Sequence, residues 1–245
     1  MSITVVLTLY KRPHILLEQI KSVMDQTVQP ENIIVWKNTT EGVCLPEIPP
    51  DIKNKIIVID SSKNFGVWAR FYVGLLVNST YVCVFDDDTI PGVDWFKNCL
   101  NTMETKCGLL GTIGLRFRSG YGYSNYQRVG WDGPSNEIIQ VDIVGHAWFF
   151  KREWIHYLTE YNPDFNTMHR RGEDICFSYI LQKHGINTYV PPHPPNCINM
   201  WGSNPHLAML YGTDQNATSM IDGMDGFNDA LSHFKELGFK ILDEM

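Results

Sequence analysis

The chain has no block of lysines or arginines, no Cys-x-x-Cys pair and no apolar run near the ~20 residues that a membrane helix needs. Each absence excludes something. Lysine and arginine number 20 against 27 acidic residues, a formal net charge of −7. Binding nucleic acid requires a basic face for the phosphates, so no nucleic-acid partner is expected. The six cysteines (Cys44, Cys83, Cys99, Cys107, Cys176 and Cys197) show no zinc-ligand spacing. Cys83 and Cys176 lie in apolar runs, where small core residues belong. Free thiols and a reducing, cytoplasmic setting are therefore expected. Residues 1–9 already alternate like a strand, so neither a secretory leader nor a transmembrane segment is expected. The sequons at Asn38, Asn78 and Asn216 then read as coincidence. What remains, 245 residues with 44% hydrophobic and 19% charged, suffices for a substantial core.

The apolar pattern gives the fold class. "ITVVLTLY" (3–10) is a continuous apolar strand of the kind buried on both faces of a parallel sheet. A helix follows from Pro13, with Leu16, Ile20, Val23 and Met24 at helical spacing. Strands are read at 32–38 and 55–60. A helix over 66–78 turns Val67, Phe71, Leu75 and Leu76 to one side. A strand at 81–86, a helix at 92–104 and a strand at 108–117 come next. This alternation predicts an α/β fold, a mixed, mostly parallel sheet flanked by helices. After residue 117 a Gly-, Tyr- and Asn-rich stretch reads as a long loop. Residues 138–154 return to strand and then helix. A helix at 172–185 and a strand at 186–192 follow, and an amphipathic helix at 226–242 closes the chain. No linker or repeat divides it. One domain over 1–245 is expected, with halves at 1–117 and 118–192 and a C-terminal segment at 193–245.

The strand "YVCVFD" runs into Asp86, Asp87 and Asp88. Two carboxylates about 4 Å apart repel by roughly 1 kcal/mol in water and about 4 kcal/mol at an effective dielectric near 20. A cation or water must offset that. On extended backbone Asp86 and Asp88 point one way and Asp87 the other. Such hard oxygen ligands suit Mg²⁺ or Mn²⁺. Ligands of open α/β sheets bind beyond the carboxyl ends of the strands, where these acids sit with Thr8, Tyr10, Lys37 and Asn38. A solvated turn, with an Asp capping the next helix, is the bland alternative.

"VVLTLYKRP", "KNFGVWARFYVGL", "FDDDTI" and "RRGEDICFSYIL" occur in the order seen in GT-A-fold, family-2-like glycosyltransferases, which the chain resembles over about residues 3–192. The resemblance implies transfer of a sugar from a nucleotide-diphosphate donor to a hydroxyl on a carbohydrate or glycoprotein acceptor. It implies donor-binding roles for Thr8, Tyr10, Arg12, Asn38, Arg70, Asp86 and Asp87. Metal ligation falls to Asp86, Asp88 and His193, with His206 as competitor to His193. Asp174 is the implied general base of an inverting transfer, with Glu173 orienting the acceptor or Arg171. Gly145, His146 and Trp148 resemble the segment behind the reacting sugar, and Trp131, Trp148 and Trp201 are candidates for stacking on sugar rings. Where the family's second strand ends in an acidic pair, this chain has Lys37-Asn38, so UDP, GDP and dTDP stay open as donors. Loss of Arg70 is expected to weaken donor binding with little effect on stability.

Competing readings are weaker. A dehalogenase-like phosphatase wants a threonine two positions after the second acid, where Ile90 stands. A sugar-nucleotide nucleotidyltransferase wants a glycine-rich basic loop after the first strand, and "TLYKRPH" is not one. A non-catalytic nucleotide- or sugar-binding module would not need both Asp88 and Asp174. Homo-oligomer formation is left open.

Overall fold

The computed structural model describes residues 1–120, 122–131, 133–161, 171–213 and 225–245. Nine strands among them form one sheet. β1 (Ile3–Leu9), β2 (Asn32–Lys37), β3 (Ile57–Asp60) and β4 (Tyr81–Phe85) are parallel, in the order β3-β2-β1-β4. All seven residues of β1 are buried, as its unbroken apolar run demands. β8 (Ile143–Lys151) then runs antiparallel between β4 and β5 (Leu109–Phe117). β6 (Tyr126–Val129), β7 (Ile139–Val141) and β9 (Thr188–Val190) complete the far side.

Helices α1 (Leu16–Met24), α2 (Pro50–Lys53), α3 (Ala69–Tyr72), α4 (Trp95–Thr105), α5 (Ile155–Leu158), α6 (Glu173–Lys183), α7 (Pro205–Gly212) and α8 (Asp225–Glu236) accompany the sheet. α1 and α4 are amphipathic, burying Leu16, Ile20 and Val23, and Trp95, Phe96 and Cys99. α6 buries every residue from Ile175 to Leu181.

Three expectations are corrected. The helix over 66–78 is only α3 followed by a 3₁₀ turn, Val73–Leu76. Tighter winding swings Leu75 and Leu76 into solvent (44% and 71% exposed) instead of the core. The cause lies at Gly74: an added Cβ would stand 2.4 Å from Ile155 Cδ1, so the backbone here lies flat against the core. Residues 138–154 hold two strands before any helix, and β8 enters the sheet from the opposite direction. The closing helix stops at Glu236, because Gly238 takes φ +108° and Phe239 and Ile241 then bury themselves as extended chain. All six cysteines are free. No helix among the described residues is long and apolar enough to cross a membrane.

Candidate active site

The carboxyl end of β4 delivers Asp86, Asp87 and Asp88 to one edge of the sheet. The backbone from Asp86 to Thr89 is a turn and not the extended strand that alternation assumed, yet Asp87 still parts from Asp86 and Asp88. Asp87 turns toward the loop after β1, where Arg12 Nη1 lies 2.6 Å from its Oδ1 and the Lys11 amide donates to its Oδ2 at 3.1 Å. Asp86 and Asp88 turn together toward His146, and one ligand atom from each of the three lies within 4.8 Å of the others. Among the described residues this is the one cluster that could hold a metal ion.

A local fault in the sheet brings His146 there. Gly145 pairs with Ile113 and Trp148 with Gly111, so two residues of β8, His146 and Ala147, face Thr112 alone. That is a β-bulge, and bulges re-aim side chains. His146 takes φ +64°, the left-handed region that a residue with a Cβ occupies only at a cost. Its carbonyl accepts the Asp86 amide at 3.0 Å, which fixes strand end and bulge to each other. Its Nδ1 is buried without a hydrogen-bond partner, 3.9 Å from Asp88 Oδ1. Two carboxylates and an imidazole are a donor set that suits Mn²⁺.

His193 is not in this cluster. It is buried at the end of β9, with Nδ1 2.8 Å from the Pro191 carbonyl and Nε2 2.9 Å from that of Gly133. Nδ1 is thus engaged within its own segment and Nε2 joins that segment to Gly133, and the imidazole that stands beside Asp86 and Asp88 is that of His146. His206 lies exposed in the first turn of α7. The place of His146 beside the acids escaped the sequence reading because a bulge leaves no signature in hydrophobic alternation. The one available signal was a histidine next to a glycine in an otherwise apolar strand.

Arg70 links this cluster to α6. Its guanidinium pairs with Asp86 through Nη1 and with Glu173 Oε1, at 2.8 Å, through Nη2. It lies 4.5 Å above the Trp148 ring and is itself buried. Burial alone would lower its pKa, but the charges of Asp86 and Glu173 outweigh that and the net shift is upward. Burial pushes Asp86 up, and the Arg70 charge more than reverses it. Glu173 rises, because burial outweighs the pull of Arg70. Asp88 is pushed up to about 6, first by burial, with the charges of Asp86 and Asp87 adding and His146 opposing. Glu173 and Asp174 open α6 after Gly172, which takes φ +83°. Asp174 Oδ1 accepts the Ile175 amide at 2.7 Å, yet burial and the neighbouring Glu173 charge push its carboxyl up to about 8.

The other candidates divide. Thr8 is buried at the end of β1, its hydroxyl without a partner, and Tyr10 is half-buried beside it. Asn38 is fully engaged: its amide donates to Asn64 Oδ1 and the Gly66 carbonyl and accepts from Phe65 N, shaping the loop before α3. Trp148 is core under Arg70, and Trp201 is buried with its indole on the Pro194 carbonyl. Trp131 stands at the site, edge-on to His146 with ring centroids 4.7 Å apart. Tyr123, which the sequence reading did not single out, packs against Phe117 and Phe227. Burial first, then the Asp174 charge, keeps its phenol protonated well above the usual range. α7 lies against the acids of β4: a Cβ on Gly212 would stand 3.2 Å from Asp88 Oδ2, and the Tyr211 hydroxyl donates to Glu18 at 2.7 Å.

A mixed sheet whose parallel half ends in acids at β4, joined through Arg70 to an acid-headed helix, defines the class: an α/β protein of the GT-A glycosyltransferase fold. The glycosyl transferase family 2 profile matches residues 4–173, and the chain belongs to that family. Among solved structures it is similar to GalNAc-T7, crystallised with UDP, GalNAc and Mn²⁺, at 12% identity and a TM-score of 0.59, covering 87% of this chain and 48% of that one. It is also similar to residues 1–349 of TarS from S. aureus, at 14% identity and a TM-score of 0.56, covering 78% and 60%. The chain thus spans about half to three fifths of the length of these structures. No curated protein matches it in sequence.

Proposed function

We propose that the chain is a metal-dependent glycosyltransferase that moves a sugar from a nucleoside-diphosphate donor to an acceptor hydroxyl with inversion. The observation that carries this reading is the continuous chain Asp88–Asp86–Arg70–Glu173–Asp174, which joins a cation-competent cluster to a half-buried carboxyl with a raised pKa. Asp86, Asp88 and His146 would hold Mn²⁺ or Mg²⁺, and the unpartnered Nδ1 of His146 supports that fit. Bound there, the cation would supply Lewis-acid stabilisation of the charge that grows on the leaving diphosphate. GalNAc-T7, seen with UDP and Mn²⁺, makes UDP the first nucleotide to try. Residues 1–117 then serve as the donor half and 118–192 as the acceptor half.

In this mechanism the acceptor oxygen attacks the anomeric carbon as the bond to the diphosphate breaks, and Asp174 takes the hydroxyl proton. A base with a pKa near the working pH combines usable ionisation with proton affinity. Arg70 holds Asp86 and Glu173 in place, so its contribution is internal and not a direct contact with phosphate. Trp131, half-buried where Trp148 and Trp201 are buried, is the one of the three candidates left to stack on a sugar.

The test is turnover of UDP-, GDP- and dTDP-sugars with Mn²⁺. We expect Asp88→Ala to abolish the Mn²⁺-dependent rate while circular dichroism stays native. Full activity in excess EDTA would defeat the reading.

A further inference from the structure

The reading above leaves Gln19 without a role. It lies on the otherwise aliphatic buried face of α1, between Leu16 and Ile20, and is 1% exposed. An amide in such a place costs roughly 1–3 kcal/mol unless it is paired. Its Nε2 donates to the Asp86 carbonyl at 2.7 Å and to the Thr89 carbonyl at 2.9 Å, while its Oε1 is buried without a hydrogen-bond partner. Those two carbonyls bracket Asp87 and Asp88. Between them runs one turn bond, from Thr89 N to the Asp86 carbonyl at 3.3 Å. A single side chain, rooted in a helix, thus pins both ends of the turn that carries the acids.

We propose that Gln19 is the positioning residue of the cation site. By fixing the turn from Asp86 to Thr89 it sets how far apart the Asp86 and Asp88 carboxylates stand. Affinity for a divalent cation therefore depends on the Gln19 amide, which never touches the cation. This rests on the metal-binding reading of the cluster.

Seven residues further on, just past the end of α1, Gln26 supplies a control inside the same molecule. It is equally buried, and its Nε2 donates to the Gly92 carbonyl at 2.7 Å and the Ser22 carbonyl at 3.2 Å while its Oε1 accepts from Phe96 N at 3.1 Å. It ties α1 to the start of α4, beyond the acids. Loss of either glutamine loosens α1, but only loss of Gln19 frees the carboxylate turn.

The experiment is calorimetric titration of the full chain with Mn²⁺ alone, with a thermal melt of each variant. Gln19→Met and Gln26→Met should both melt earlier. The Mn²⁺ Kd should rise about tenfold in Gln19→Met, in keeping with other outer-shell ligand partners, and stay within about twofold in Gln26→Met. Equal weakening in both variants would mean general loosening and overturn the proposal, as would an unchanged Kd in Gln19→Met. If Gln19→Met does not fold, Gln19→Asn decides on the same readout, since it keeps an amide too short to reach both carbonyls. A wild-type chain that binds no Mn²⁺ overturns the metal reading itself, and this inference with it.

Discussion

Asp174 and Arg70 differ in what they risk when changed. The Asp174 carboxyl is pushed up to about 8 from an ordinary 3.8, so the fold holds its proton more tightly than the unfolded chain does. That contribution to stability is fully present below about pH 3.8 and is lost as the pH climbs through about 8. As a base the group works only when ionised, so the rate of transfer should rise over the same upper range. We therefore expect Asp174→Asn to lower kcat by about 10²- to 10⁴-fold with donor KM little changed. It should also melt later than wild type, by a margin that widens from pH 6 to pH 9. A parallel loss of donor affinity would remove Asp174 from the role of base. Arg70 is the opposite case. The expectation from the sequence, a stable protein with weakened donor binding, does not survive its burial between Asp86 and Glu173. Removing one partner of a buried ionic network typically costs about 3–5 kcal/mol. For a chain of this size each kcal/mol is worth about 2–4 °C. Arg70→Met should thus melt about 10 °C lower, and Arg70→Lys should recover part of that.

At the scale of elements, local pattern and long-range placement part company. β1, β2 and β4 were legible because parallel strands buried on both faces leave apolar runs, and the acids ending β4 stand out against such a run. α1, α4 and α6 were legible from spacing. What pattern could not show is β8 inserted antiparallel between β4 and β5, because pairing partners are a tertiary choice. Nor could it show the bulge at His146, or Gln19 on an aliphatic face, where a polar residue is expected to look outward. In α3 the period changed from 3.6 to 3 within a few residues, and Leu75 and Leu76 followed the backbone out. The bulge makes its own prediction. Glycine takes φ +64° freely, so His146→Gly relieves strain of the order of 1 kcal/mol. It should melt no earlier than wild type while its Mn²⁺ Kd rises about tenfold or more. A lower melting temperature with an unchanged Kd would make His146 a structural residue only.

Over the whole molecule, one sheet carries both halves of the site, and the C-terminal segment fastens the far side. Asp142 is a buried carboxyl, raised by burial, that accepts the amides of Phe117 and Leu242 at 2.6 Å each. Phe239 and Ile241 are 3% and 1% exposed. Burying each such side chain is worth about 1.5–3 kcal/mol, so deleting residues 237–245 should lower the melting temperature by about 10 °C or more. A melt within about 2 °C of wild type would show the tail to be dispensable. The crowding at the other end of the molecule has a consequence in time as well as in space. Asp86, Asp87, Asp88 and Glu173 gather around the guanidiniums of Arg12 and Arg70. On the proposed reading, the acids there that stay ionised disfavour the approach of a bare diphosphate. We therefore expect the divalent ion to enter ahead of the nucleotide or with it, so that the rate follows chelated nucleotide and not total nucleotide.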